Sequence, residues 1–405
     1  ALIDGFEEYT DDIEAGQAIF DTWIDGWVND NGATVGYFEA PFAEQTIVHS
    51  GGQSMPLEYD NTADPFYSEA ERTFDDSQDW TANGIQSLSL WFRGEPDNTG
   101  QLYVKINNTK VAYDGDPANL SKTAWIPWNI DLSTVGGNLS NVNSLTIGIE
   151  GNGATGILYV DDIRLYPQAP EYIVPTEPDA ASLVGLWALD GNADDSSGNG
   201  LNGAVVDGQF VASGRPDGGM ALQVNDAGHA DLGNPAALDF DTGDWTVTAW
   251  YKTGMTGTGD ENKGTVYGKG GDTGGGHRYC LIMSETTEGV LTLVCDDDAT
   301  KYVINSTSVT NDDEWHAVAG QRQGAELRIF IDGILEASTT ATEEYSLAGT
   351  SQHNAYIGAI TNHGTGDLYK TYIGLIDDVR VYGSALSEGE ILWLAGGTLP
   401  LAKPF

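Results

Sequence analysis

Two pairs of adjacent aspartates, Asp161-Asp162 and Asp377-Asp378, stand inside one repeated phrase. Residues 158–166 read Leu-Tyr-Val-Asp-Asp-Ile-Arg-Leu-Tyr, and residues 374–382 read Gly-Leu-Ile-Asp-Asp-Val-Arg-Val-Tyr. A period of two is the mark of a half-buried strand. Strict alternation puts Asp161 on the face of Ile163 and Leu165, and Asp377 on the face of Val379 and Val381. An inward carboxylate has to be neutralised, hydrogen-bonded or bound to a cation. The expected answer is a hard cation with oxygen ligands, calcium being the usual one outside cells.

A second set of side chains is aromatic. In 87–93 the apolar face is Leu88, Leu90 and Phe92, which leaves Trp91 on the other face. In 101–107 the inner face is Leu102, Val104 and Ile106, so Tyr103 and Lys105 point outward. A turn at 95–100 is expected to pair these strands and set Trp91 opposite Tyr103. In 125–130, Trp128 joins the core and Trp125 points away. Such rings on an outer sheet face stack on the apolar faces of sugars at low entropic cost. The alternative is that the loop 10–30, with Trp23 and Trp27, covers that face and buries the rings. A further candidate surface is the loop 267–279 with His277 and Arg278, together with Asn362-His363 and Tyr369 on another loop. Its glycines lack the Lys-Ser/Thr and helix of a phosphate cradle.

Catalysis needs more than these residues. A glycoside hydrolase uses paired carboxylates, and with 61 acidic residues such pairs are uninformative. A lyase uses Tyr or His with a cationic neutraliser; His277, Arg278 and Tyr279 are adjacent, so alternation splits them between faces. Neither Gly-x-Ser-x-Gly nor His-Glu-x-x-His occurs. No catalytic residue is assigned.

The elements that position these groups are short strands. The 405 residues include 52 glycines, 40% hydrophobic and 10% aromatic residues, enough for two or three β-rich domains with real cores. Strand-like segments run through 1–166 and again through 183–396, the latter ending in a short helix at 387–394 with Ser387 as cap. Between them, 167–182 carries four prolines and reads as a stiff linker; 397–405 reads as a loose tail. The fold class expected is all-β: two tandem antiparallel β-sandwiches. A net charge of -44 argues against nucleic acid and anionic lipid as partners. It also repels anionic glycans unless calcium bridges them. No apolar run is long enough for a membrane helix. The start at Ala1 suits a chain whose secretion signal was removed, or a piece of a longer protein. Cys280 and Cys295 bracket a turn at 285–289, which is read as placing them opposite each other, either disulfide-bonded or reduced.

The second stretch resembles laminin-G-like, concanavalin-A-like jelly rolls. The resemblance rests on 183–190 with Asp194-Asp195-Ser196-Ser197-Gly198-Asn199-Gly200, on 244–250, 313–319 and 330–333, and on 375–382 followed by Ala385-Leu386-Ser387. It implies core roles for Trp187, Trp245, Trp250 and Trp315. The first stretch resembles β-sandwich carbohydrate-binding modules, through Asp4-Gly5-Phe6-Glu7 and Val160-Asp161-Asp162-Ile163. That resemblance implies a structural calcium on Glu7 and Asp161; by analogy Asp377 would share one with Asp190, Asp195 and Asn199. The expectation is a secreted or cell-surface, calcium-stabilised, non-catalytic polysaccharide binder, accessory to glycan degradation. Its ligand is neutral or calcium-bridged, and its binding residues are Trp91, Tyr103, Lys105, Trp125, His277, Arg278 and His363. The alternatives are a β-sandwich lyase or hydrolase, and an adhesion or scaffold protein.

Overall fold

The computed structural model describes residues 1–405 except 216, 226, 258, 260–262, 274, 275, 343 and 344. The chain forms two units, Ala1–Val174 with Thr398–Phe405, and Pro175–Gly397. Both are β-sandwiches, and no helix among the described residues is long and apolar enough to cross a membrane.

In the first unit one sheet runs β3 (Ala33–Val35), β4 (Met55–Asp60), β11 (Thr155–Tyr166), β6 (Ser87–Arg93), β9 (Ile126–Asp131), with β1 (Leu2–Asp4) also on β11. The facing sheet runs β2 (Trp23–Ile24), β5 (Tyr67–Gln78), β10 (Val142–Glu150), β7 (Gln101–Ile106), β8 (Thr109–Ala112). Leu88, Leu90 and Phe92 on β6 and Leu102, Val104 and Ile106 on β7 are buried, as their alternation requires. The expected β6–β7 hairpin does not form. The two strands lie in different sheets, β6 between β11 and β9 and β7 between β10 and β8. The segment joining them therefore crosses from one layer to the other. Residues 398–405 are no loose tail: β30 (Leu401–Ala402) pairs with β12 (Tyr172–Ile173), inside the proline-rich stretch. Phe405 stacks on Tyr166 with ring centroids 4.2 Å apart.

In the second unit one sheet runs β15 (Gln209–Ala212), β16 (Met220–Val224), β29 (Gly374–Tyr382), β18 (Trp245–Lys252), β23 (Trp315–Gln323), β24 (Glu326–Ile331), β25 (Ile334–Thr340), with β13 (Leu183–Trp187) on β29. The other runs β14 (Ala204–Val206), β17 (His229–Asp231), β26 (Ala355–Ile357), β19 (Gly264–Asp272), β20 (His277–Met283), β21 (Val290–Asp297), β22 (Lys301–Val309). The short strands β27 (Ile360–Asn362) and β28 (Leu368–Tyr369) attach to β19. A helix, Glu388–Leu394, starts from Ser387 with Glu390 closing a capping box. Trp187 and Trp245 are core residues, but Trp250 and Trp315 are half-buried and lie outside the main core.

The arrangement around the repeated phrase is the same in both units. β4–β11–β6–β9 with β1 on β11 matches β16–β29–β18–β23 with β13 on β29. The phrase itself carries a β-bulge in each copy. Asp161 pairs with Trp91 and Arg164 with Ser89, so β11 has one residue more than β6; Asp377 pairs with Trp250 and Arg380 with Thr248 in the same way. The bulged residues Asp162 and Asp378 have φ of 48° and 50°. This corrects the face assignment made from strict alternation. The extra residue shifts the phase, so Asp161 and Asp377 lie on the outer sheet face beside their tryptophans, while Ile163, Leu165, Val379 and Val381 stay in the core.

The cysteines are also displaced by one position. Tyr279 pairs with Cys295 and Cys280 with Val294. Cys280 therefore packs with Ile282, Val294 and Ile360 on one face and Cys295 in the main core on the other, both as free thiols. Side chains on opposite faces of a sheet cannot be bridged.

Candidate functional site

The acids expected to hold metal are engaged by other groups. Asp161 is fully buried; its Oδ2 accepts the backbone N–H groups of His49 (3.0 Å) and Ser50 (3.2 Å), and its Oδ1 accepts that of Asp162 (2.7 Å). Burial pushes its carboxyl up to about 7 despite these donors. Asp162 takes His49 Nδ1 (2.7 Å), Ser50 Oγ (2.6 Å) and Arg164 Nη2 (2.6 Å). Burial opposes its charge, but these three partners hold it well below the usual carboxylate range. Glu7 accepts from Gly52 N–H (2.9 Å) and Gln53 N–H (3.2 Å), so it grips the far end of the same turn. Above this, the His49 ring stacks on Trp91 at 3.9 Å and meets Trp125 edge-on at 5.8 Å.

The second unit repeats this clasp with a different side chain. Arg215 donates to Asp377 at 2.9 Å, stacks on Trp250 at 4.3 Å and lies 6.0 Å from Trp315. Trp315 stands two residues before the partner of Trp250, as Trp125 stands two before the partner of Trp91. Asp190 accepts from Met220 N–H (2.7 Å). Asp195 shapes its own loop through the N–H groups of Leu186, Ser197 and Leu201, and Asn199 donates to the carbonyls of Leu183 and Val184. Among the described residues no three His, Cys, Asp or Glu side chains group to hold a metal. Oxygens that face N–H donors and a guanidinium do not fit calcium, which needs six to eight oxygen ligands. The sites expected on Glu7 and Asp161, and on Asp377 with Asp190, Asp195 and Asn199, therefore lack the right donor geometry. EDTA is expected to leave both units' thermal melting unchanged. A chelator-dependent drop reversed by added calcium would show that ions hold the folds after all.

The expected aromatic platform is divided between two sheets. Trp91 and Trp125 meet around His49, with Trp91 half-buried and Trp125 buried (8%). Tyr103 belongs to the other sheet and is buried (1%), its hydroxyl donating to Glu69 and its ring beneath Lys110 Nζ at 3.9 Å. Lys105 forms an ion pair with Glu69. In the second unit Arg278 is buried and paired with Asp272, which also binds Lys370. His363 Nδ1 meets His353 Nε2 at 2.9 Å, while His277 stands against Gly349. His277 and Arg278, adjacent on β20, face opposite sides of that strand, while His363 N–H donates to the carbonyl of Asp272, the residue paired with Arg278. Gly274 and Gly275 of that loop lie outside the described residues.

The open aromatic surface lies elsewhere in the first unit. A four-residue helix, Gly26–Asn29, is capped by Asp25, whose carboxylate accepts Trp27 N–H (3.0 Å) and Val35 N–H (2.9 Å). Asp25 thus ties the helix to β3. Gly26 is required there, since a Cβ would sit 2.0 Å from the Asn31 carbonyl. Trp27 is 75% exposed and Phe38 76%, with rings nearly perpendicular (83°) and 6.4 Å apart. Phe38 tips a loop closed by Tyr37 N–H to Phe42 O (2.8 Å) and steadied where Phe42 packs edge-on against Phe20. Together with Ile13 and Val28 they wall a cleft of about 560 Å³. Among the described residues, its charged lining residues are Asp21 and Asp25. Alternation cannot find this site, because neither ring lies on a strand. The legible signal was the Asp25-Gly26 cap just before Trp27.

Tandem sandwiches with closing strands of this kind define an all-β, jelly-roll class of protein. Residues 224–392, in the second unit, match the family described as the concanavalin A-like lectin/glucanases superfamily (Laminin_G_3), so this unit carries a domain of that type. A search of curated proteins finds no match. Domain 4 of AbnA, an extracellular GH43 arabinanase of Geobacillus stearothermophilus solved with arabinotriose, is 18% identical, with a TM-score of 0.42 over 53% of this chain and 98% of that domain. The binding domain of Paraclostridial Mosquitocidal Protein 1 is 16% identical, with a TM-score of 0.42 over 53% of this chain and 52% of that one. The CBM40 module of the Ruminococcus gnavus IT-sialidase is 19% identical, with a TM-score of 0.36 over 44% of this chain and 96% of that module. Likenesses at these values have no bearing on function.

Proposed function

We propose that the protein binds a neutral polysaccharide without cleaving it, as a secreted accessory to glycan degradation. The observation that carries the reading is the Trp27–Phe38 corner. Large rings exposed to three-quarters of their area in a formed cleft are unusual on a soluble domain and mark a binding surface. The perpendicular rings present a face and an edge to the C–H surface of a sugar, while the exposed Asp21 supplies an acceptor for hydroxyls. With no cationic side chain in its lining, on a chain of net charge -44, the cleft suits an uncharged ligand. The lectin/glucanase-type domain in the second unit agrees with sugar recognition.

Trp27→Ala is expected to weaken binding of the preferred polysaccharide by about 2 kcal/mol, roughly thirtyfold in Kd, as for a central aromatic anchor. Folding stability should hardly move, because the ring is exposed. Affinity electrophoresis in gels of neutral polysaccharides reads the loss directly. Unchanged retardation by Trp27→Ala and Phe38→Ala would sink this assignment. Release of reducing ends or unsaturated products in the same samples would replace binding by catalysis.

A further inference from the structure

We propose that the second unit has its own saccharide site, on the outer face of the sheet containing β16, β29, β18 and β23. Gln223, Leu375, Lys252 and Trp315 form one row across these four strands as successive cross-strand partners. Their neighbours Leu222, Ile376, Tyr251 and His316 are buried, so the row faces outward. At its end opens a cleft of about 720 Å³, lined by Gln223, Asn225, Lys252, Asp313, Ile373 and Leu375 among others. It is separate from the Arg215 clasp, although Trp315 belongs to both surroundings: its Nε1–H donates to Ser213 O at 2.9 Å, fixing the ring beside the row.

Lys252 is the telling residue. It is half-buried and, among the described residues, has no carboxylate within ion-pair distance, in a chain with 61 acids and 17 bases. Its neighbours offer complementary chemistry: an amine that donates, two amides that donate and accept, and the Asp313 carboxylate that accepts. Between them Leu375 and the 42% exposed Ile373 give an apolar floor. A sugar ring has this same division, with hydroxyls around its rim and C–H groups on its face. A purely apolar ligand would leave Lys252 and Asp313 unpaired, and an anionic polymer would meet Asp313 and the chain's net charge. The ligand class is therefore a neutral saccharide.

The test is calorimetric titration of the whole chain with soluble neutral cello-, xylo-, manno- and arabino-oligosaccharides. The expected result is saturable binding that survives in Trp27→Ala and weakens about tenfold or more when Lys252→Met is added, a charged hydrogen-bond donor being removed while the apolar stem is kept. Gln223→Ala, on another strand, should weaken the same component should Lys252→Met fail to fold. If Trp27→Ala abolishes all binding, the second site does not exist and the first-unit cleft stands. If binding is insensitive to Trp27→Ala but falls with Lys252→Met, the second site stands and the first-unit reading fails. Binding that ignores Lys252→Met and Gln223→Ala overturns this proposal, and no saturable binding by any probe overturns both.

Discussion

Arg215→Met is expected to destabilise the second unit by about 3–5 kcal/mol, the cost of removing one partner from a buried ion pair. Both side chains of the Arg215–Asp377 pair are only 6% exposed. Methionine retains much of the packing on Trp250 but leaves Asp377 with no cation in contact. Burial already pushes the Asp377 carboxyl up to about 7 against the pull of Arg215. A raised acid favours the protonated native state: its contribution is full below about pH 3.8 and is lost as pH climbs through 7. The variant's deficit should therefore be larger at alkaline than at mildly acidic pH, and Asp377→Asn in the same chain should recover part of it. Urea unfolding followed by tryptophan fluorescence measures both effects. A loss under about 1 kcal/mol, independent of pH, would mean that Asp377 finds water or another partner when Arg215 is gone.

The second large effect concerns His316, buried to 1% between Asp332 (2.8 Å) and Asp312 (3.2 Å). Burial alone would lower its pKa, but the two carboxylates outweigh burial and bring it up to about 10. A base held above its unfolded value stabilises the native state fully below about pH 6.5, and that contribution vanishes as pH rises through 10. The difference corresponds to roughly several kcal/mol. The second unit should lose stability steadily across that window, and His316→Gln should flatten the slope while lowering stability at neutral pH. A wild-type midpoint that stays level between about pH 7 and 10 would show that the imidazole is neutral in the fold.

Much of the architecture was legible because side-chain alternation survives where strands are regular. Leu88, Leu90, Phe92, Leu102, Val104, Ile106 and Trp128 were placed in the core by period two alone, and all are buried. The repeated phrase shows where that logic breaks. Its apolar core positions run 158, 160, then 163, 165, and in the second copy 376, then 379, 381. A step of three inside a pattern of twos is the trace of a bulge, and it places the first aspartate outside rather than inside. The pairing of Trp91 with Tyr103 failed for another reason: strands adjacent in sequence need not be adjacent in a sandwich, where a connection can change layers. The partners of the outer acids were harder still. His49 and Arg215 come from loops 112 and 162 residues away from the groups they bind, and no local pattern encodes such a contact. The buried carboxylate of Asp4 collects Tyr9 and Trp23 from nearby in the chain and Arg72 from 68 residues away, and the last of these contacts was hidden for the same reason.

The strand made by Leu401–Ala402 completes a ladder begun by Tyr172–Ile173. In a polypeptide synthesised from its amino end, everything between those segments must leave the ribosome before this ladder can close. At about 5–20 residues per second that interval is on the order of ten to fifty seconds. The later-made sandwich thus has its whole length available while the earlier one still waits for its final strap.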